Sequence, residues 1–207
     1  MCFGGSAGGL KAYVDILHTL PVDTGMAFVI APHRAPSHAN LLSQILSRAT
    51  TMPVIEVKEG MKLAANHVFI APPRMNLSTC DGAFQVRTTP AARGWPKTIN
   101  VFLNSLAESV GNRAVAVILS GLDGDGSAAL KTIKDAGGIT LAQSDASFDS
   151  MPSSAVETGH VDHLLPATEI AVFLAALASE PLAAPEDDGG RKAVENRPSL
   201  PTGPEVG

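Results

Sequence analysis

The sequence predicts an α/β protein built on a largely parallel sheet covered by helices, with one antiparallel excursion. Three observations carry that reading. Short β-rich runs alternate with amphipathic helical patterns over about 180 of the 207 residues. Ile99, Phe102, Leu103, Leu106 and Val110 recur at helical spacing and form one apolar stripe. Asp81-Gly82, the strongest short hairpin signal in the chain, separates two short runs within residues 66–90.

In chain order, Met1-Cys2-Phe3 is a stub of what should be a buried central strand, followed by a helix near Leu10–Leu20. The apolar run Ala27–Ala31 reads as a strand, Ala39–Ala49 as a helix, and Pro53–Val57 and Val68–Ala71 as strands. After the hairpin and the 99–110 helix come the strand Ala114–Leu119, a helix over Ser127–Ala136, the strand Ile139–Ala142 and a helix over Thr168–Ala178. Gly137-Gly138 supplies a ready C-cap for the Ser127–Ala136 helix. The sequence contains no internal repeat.

Composition narrows the function. Hydrophobic residues make up 45% of the chain, enough for one domain with a sizeable core. Aromatic residues are only 4%, so aliphatic side chains must fill that core. The net charge of −5, with no basic cluster, argues against a nucleic-acid partner. No apolar run reaches the ~18 residues that span a bilayer, and the N-terminus lacks a signal-peptide layout. Cys2 and Cys80 read as free thiols in a reducing cytoplasm. From Glu180 to Gly207 the chain has five prolines, four glycines, six acids and three bases, with almost no apolar periodicity. The expectation is a folded domain over residues 1–179 and a disordered acidic tail or linker over 180–207.

Loops that follow parallel strands share one sheet edge, where ligands bind. Three such loops carry reactive side chains. Gly4-Gly5-Ser6-Ala7-Gly8-Gly9 fits G-x-S-x-G, a strand–turn–helix that presents a serine hydroxyl. Taken alone, the same loop could equally cradle a phosphate, although Ser6 stands where a dinucleotide fingerprint needs its middle glycine. His33 follows Pro32 at the end of a strand expected beside the first. Most histidines so placed are surface residues, but an imidazole there can serve as a general base. His18, His38, His67, His160 and His163 have weaker claims; the last two have metal-like spacing without a third ligand and read as structural. The third loop, Ser120-Gly121-Leu122-Asp123-Gly124-Asp125-Gly126, offers a carboxylate to orient an imidazole. The bland reading is a glycine turn with an aspartate cap. Spacing does not choose between Asp123 and Asp125. The order Ser…His…Asp differs from the Ser…Asp…His order of α/β-hydrolases.

These three loops, in this order, resemble the chemotaxis protein-glutamate methylesterases, the CheB family. Further matching stretches are Gly60 to Pro73, Ala136-Gly137-Gly138 with Ala142-Gln143, and Met151-Pro152, so the resemblance spans about residues 3–178. It implies a Rossmann-like fold with helices on both faces, and hydrolysis of glutamate γ-methyl esters on methyl-accepting receptors, with glutamine deamidation as an associated activity. It assigns the nucleophile to Ser6, the base to His33 and the carboxylate to Asp125 rather than Asp123, and gives the Leu122 N–H to the oxyanion hole. No cofactor or metal is implied.

The sequence also departs from the family pattern, with Ala7 for threonine, Leu122 for methionine, Asp123-Gly124 for glycine-asparagine, and Arg93-Gly94-Trp95-Pro96-Lys97 in a segment usually richer in arginine and histidine. It resembles the receiver-less type found in hybrids with methyltransferase domains, which makes a methyltransferase domain or a sensor kinase a candidate partner beside receptors. Two other hypotheses compete with a working esterase. One is a catalytically weak or inactive module that binds receptors or a signalling kinase. The other is a nucleotide-binding fold that uses the glycine loop.

Overall fold

The structure is a computed structural model that describes residues 1–32, 39–73, 75–88 and 97–179. Seven parallel strands form the main sheet. They are β1 (Cys2–Gly5), β2 (Ala27–Pro32), β3 (Val54–Glu56), β4 (His67–Ile70), β7 (Val115–Ile118), β8 (Ile139–Gln143) and β9 (His163–Leu165). Their order is β3-β4-β2-β1-β7-β8-β9. A separate antiparallel pair, β5 (Met75–Cys80) and β6 (Ala83–Thr88), is the expected excursion. Its turn residues Asp81 and Gly82 have φ of 51° and 73°, the two positive values a tight hairpin requires.

Alternate residues of each central strand face opposite cores. On one face Phe3, Phe28, Ile30, Val117 and Leu141 pack under α1 (Gly9–Thr19), α2 (Ala39–Ala49) and α6 (Ala167–Ser179). On the other Cys2, Val29, Ala116, Ile118 and Ala142 pack under α3 (Thr98–Val110), α4 (Leu130–Asp135) and α5 (Ser150–Glu157). The hairpin closes this second layer by packing Phe84 between Phe69 and Phe102, with ring centroids 5.0 and 6.4 Å away. No helix among the described residues is long and apolar enough to cross a membrane.

Four sequence expectations need correction. The first strand is not a three-residue stub: it continues through Gly4 and Gly5, which pair with Ala31 and Pro32 of β2. The segment read as one helix over Ser127–Ala136 opens instead with a 3-10 turn, Ser127–Ala129, before α4. The reason is Gly126, which enters that turn at φ 95°. The sequence reading missed α5 because Pro152 interrupts the pattern, yet proline is tolerated in a first helical turn. It missed β9 because three residues show no alternation. Gly137, at φ 79°, does end α4 as a left-handed cap.

Candidate active site

Strand order creates the site. From β1 the chain fills one side of the sheet with β2, β3 and β4 and later the other with β7, β8 and β9, so the loops after β1 and β7 face a switch point. Ser6 leaves β1 there, half-buried. Its N–H donates to the Ser120 carbonyl at 2.8 Å, and its carbonyl accepts from Gly9 N–H at 3.1 Å, which makes a tight turn into α1.

Only one glycine of this loop's turn has positive φ: Gly8, at 75°. Gly4 and Gly5 are small for a different reason. A Cβ on Gly4 would meet Ile99 Cγ2 at 2.8 Å, and one on Gly5 would meet the Tyr13 hydroxyl at 2.6 Å. They let helices approach the sheet.

The loop after β7 lies against this turn. Gly121 is required by contact, since a Cβ there would stand 1.9 Å from Met151 Sδ and 3.0 Å from Ser6 Cβ. Two residues on, the carboxylates divide their tasks. Asp123, half-buried, accepts the Asp125 N–H at 2.7 Å and so folds its own loop. Asp125 is fully buried. Its Oδ2 accepts from Ile99 N–H at 2.8 Å, and its Oδ1 from Asn100 N–H at 3.0 Å and Gly126 N–H at 2.9 Å. Ile99 and Asn100 belong to the first turn of α3, whose N-cap residue Lys97 makes no side-chain capping bond. The carboxylate therefore caps the helix from a distant loop, meeting donors that a helix start leaves unsatisfied. Asn100 Oδ1 returns the grip by accepting from Ala129 N–H at 3.0 Å.

Leu122 is 62% exposed, and its N–H has no acceptor among the described residues. His33 lies outside the described residues, as do Arg93, Gly94, Trp95, Pro96 and the 180–207 segment. Its neighbour Pro32 closes β2 as the register partner of Gly5, the residue before Ser6. His163 packs its ring on Phe173 with centroids 4.5 Å apart. Among the described residues no group of three or more His, Cys, Asp or Glu is placed to hold a metal ion. Cys2, beneath the site in β1, is no rival nucleophile. Burial pushes its thiol up to about 12, with the buried N-terminal amine pulling down and the Asp125 charge adding to the rise.

A family model described as CheB methylesterase matches residues 1–174. The chain belongs to the CheB methylesterase family. A protein-glutamate methylesterase/protein-glutamine glutaminase of Photorhabdus laumondii is 34% identical over 168 residues, covering 78% of this chain and 48% of the relative. The protein-glutamate methylesterase FrzG of Myxococcus xanthus is 33% identical over 172 residues, 82% of this chain and 52% of the relative. The chain thus spans about half the length of these two curated relatives. The crystal structure of the Thermotoga maritima CheB methylesterase catalytic domain superposes with a TM-score of 0.79 at 26% identity, covering 85% of this chain and 96% of that one. The parallel sheet with its antiparallel pair is therefore the fold of a CheB catalytic domain.

In this CheB-family fold the sequence reading gave no role to two residues at the same edge, Ser120 and Gln143, although both stand in stretches it singled out. Both are buried, at 1% and 6% exposure, and both join the loops around Ser6. The available signal was a polar side chain at the end of an apolar run, Ser120 after Ala114–Leu119 and Gln143 after Ile139–Ala142.

Proposed function

We propose that this chain is a protein-glutamate methylesterase acting through Ser6, His33 and Asp125. The observation that carries the reading is the contact, at one switch point, between the Ser6 strand–turn–helix and the neighbouring strand's loop, which also carries the buried, oriented Asp125 carboxylate. The register of Gly5 with Pro32 supports His33 as the base, since the chain leaves β2 beside the Ser6 turn.

Ser6 Oγ bonds to the ester carbonyl carbon while His33 takes its proton, and Asp125 stabilises the resulting imidazolium. The Leu122 N–H, free of other acceptors among the described residues, suits the developing oxyanion. Collapse breaks the carbon–methoxy bond, His33 protonates the leaving methoxide, and methanol departs. Water then repeats the sequence on the acyl-enzyme and leaves a glutamate. A glutamine side chain treated in the same way yields ammonia.

The substrate class that fits the family is a methylated sensory receptor; a methyltransferase domain or sensor kinase is the further candidate partner. Residues 1–179 form the catalytic unit in this reading. The free thiols of buried Cys2 and exposed Cys80 suit a reducing cytoplasm. The deciding experiment is methanol release from methylated receptor together with a fluorophosphonate probe. The wild-type chain should turn over and label at Ser6, and Ser6→Ala or His33→Ala should lower kcat by roughly 10³-fold or more. Stable receptor binding with no turnover and no labelling would favour the non-catalytic module instead.

A further inference from the structure

Ser120 sits behind the proposed nucleophile and touches three loops at once. Its carbonyl accepts the Ser6 N–H at 2.8 Å. Its hydroxyl donates to the Ala7 carbonyl at 2.8 Å and accepts the Phe148 N–H at 3.0 Å. Its own N–H donates to Gln143 Oε1 at 3.0 Å. The chain of bonds continues outward. Gln143 Nε2 donates to Asp145 Oδ1 at 2.9 Å, which also accepts the Ala167 N–H at 3.1 Å.

We propose that Ser120 is a positioning residue for the esterase, its hydroxyl fixing the Ala7–Gly8 peptide beside Ser6. The inference rests on the proposed catalytic role of Ser6. A trans peptide points its carbonyl and the next N–H in opposite directions, and the described residues contain no cis bond. Drawing the Ala7 carbonyl inward to a buried hydroxyl therefore turns the Gly8 N–H outward. Gly8 is exposed, and its N–H has no acceptor among the described residues. Two bonds thus hold Ser6 between fixed points, its N–H on the Ser120 carbonyl and the carbonyl of Ala7 on the Ser120 hydroxyl.

The arrangement also explains Gly8 beyond its φ: a Cβ there would stand 2.5 Å from Ser120 Oγ and 3.0 Å from Phe148 Cδ2. Gln143 supports the device from β8, since a strand-end amide supplies both an acceptor for Ser120 and a donor for Asp145. These bonds leave no free donor on the Ser120 side chain. It acts through Ser6 and touches no substrate.

The test compares Ser120→Ala with Ser120→Thr, which keeps the hydroxyl, and with Asp162→Asn, which removes the charge paired with Lys134 at the start of β8. Each variant is titrated with the fluorophosphonate probe, so that rates refer to folded sites. Misplacing a nucleophile by about 1 Å costs roughly 100-fold, so Ser120→Ala should lose roughly ten- to a hundredfold in kcat with KM nearly unchanged. Its probe labelling should slow in parallel. Ser120→Thr should recover most of that loss, and Asp162→Asn should keep wild-type kcat despite lower stability. A folded Ser120→Ala with wild-type kcat and labelling rate would overturn the inference. If Ser120→Thr fails to fold, Gln143→Met, which removes the amide's two bonds, must show the same kcat-only loss or the proposal fails. A wild-type chain without turnover would instead remove the esterase reading itself.

Discussion

A Cβ on Gly121 would press on Met151 Sδ from one side and Ser6 Cβ from the other, so Gly121→Ala must move one of them. The methionine side chain can give way in part, but Ser6 is held by its main chain. Overpacking of this kind costs about 1–3 kcal/mol, and Gly121→Ala should lower the thermal midpoint while cutting kcat by roughly 100-fold. Unchanged kinetics in that variant would show that the two loops do not bear on one another. The cysteines give a second residue-scale outcome. With its thiol raised to about 12 by burial, Cys2 stays protonated and shielded at pH 8. Cys80 is exposed, its thiol raised by the neighbouring Asp81 carboxylate. A disulfide-exchange reagent should titrate one thiol in the native protein, slowly, and two after unfolding. Rapid reaction of both would mean that β1 opens readily.

Among the elements, β8 and α4 are joined by Asp162. Its carboxylate accepts from the Lys134 ammonium and from the Thr140 N–H and hydroxyl, the Thr140 N–H at 2.9 Å. Partial burial raises its pKa, but these donors outweigh that and hold it below the ordinary value of 3.8. The sign follows directly. A carboxyl with a lower pKa in the folded state stabilises fully above its unfolded value, and that stability fades as pH falls through the folded one. Asp162→Asn should cost about 1–2 kcal/mol at pH 7, discounted for partial exposure, with the gap to wild type closing below pH ~3.8 in urea titrations. A gap independent of pH would assign the effect to shape rather than charge. Elements with a strong period were legible in the sequence: Ala39–Ala49 and the Ile99–Val110 stripe sit where their apolar spacing requires. The ones that escaped have local signals that mislead. Pro152 in the first turn of α5 looks like a breaker, and Gly4-Gly5 looks like a turn while serving as the end of a central strand. Tertiary contact, not propensity, decides both.

At the scale of the molecule, the three reactive loops could be named from the sequence, but the adjacency of the strands they follow belongs to the order β2-β1-β7, which no single segment encodes. The roles of Asp123 and Asp125 likewise depend on α3 arriving from elsewhere in the chain with an uncapped first turn. Ser120 and Gln143 stayed hidden because their partners lie on three loops far apart in sequence. The missing Cβ atoms of β1 carry a last consequence. Gly4 admits Ile99, from the helix turn that grips Asp125, and Gly5 admits Tyr13, from the helix that follows the Ser6 turn. The thickness of one strand thus sets how closely the α3 start capped by Asp125 and helix α1 approach β1, as a shim sets the spacing of two plates. For the proposed esterase, Gly4→Ala and Gly5→Ala should each slow methanol release by pushing a whole helix outward. Combined, the pair should displace both helices and cost more than either alone.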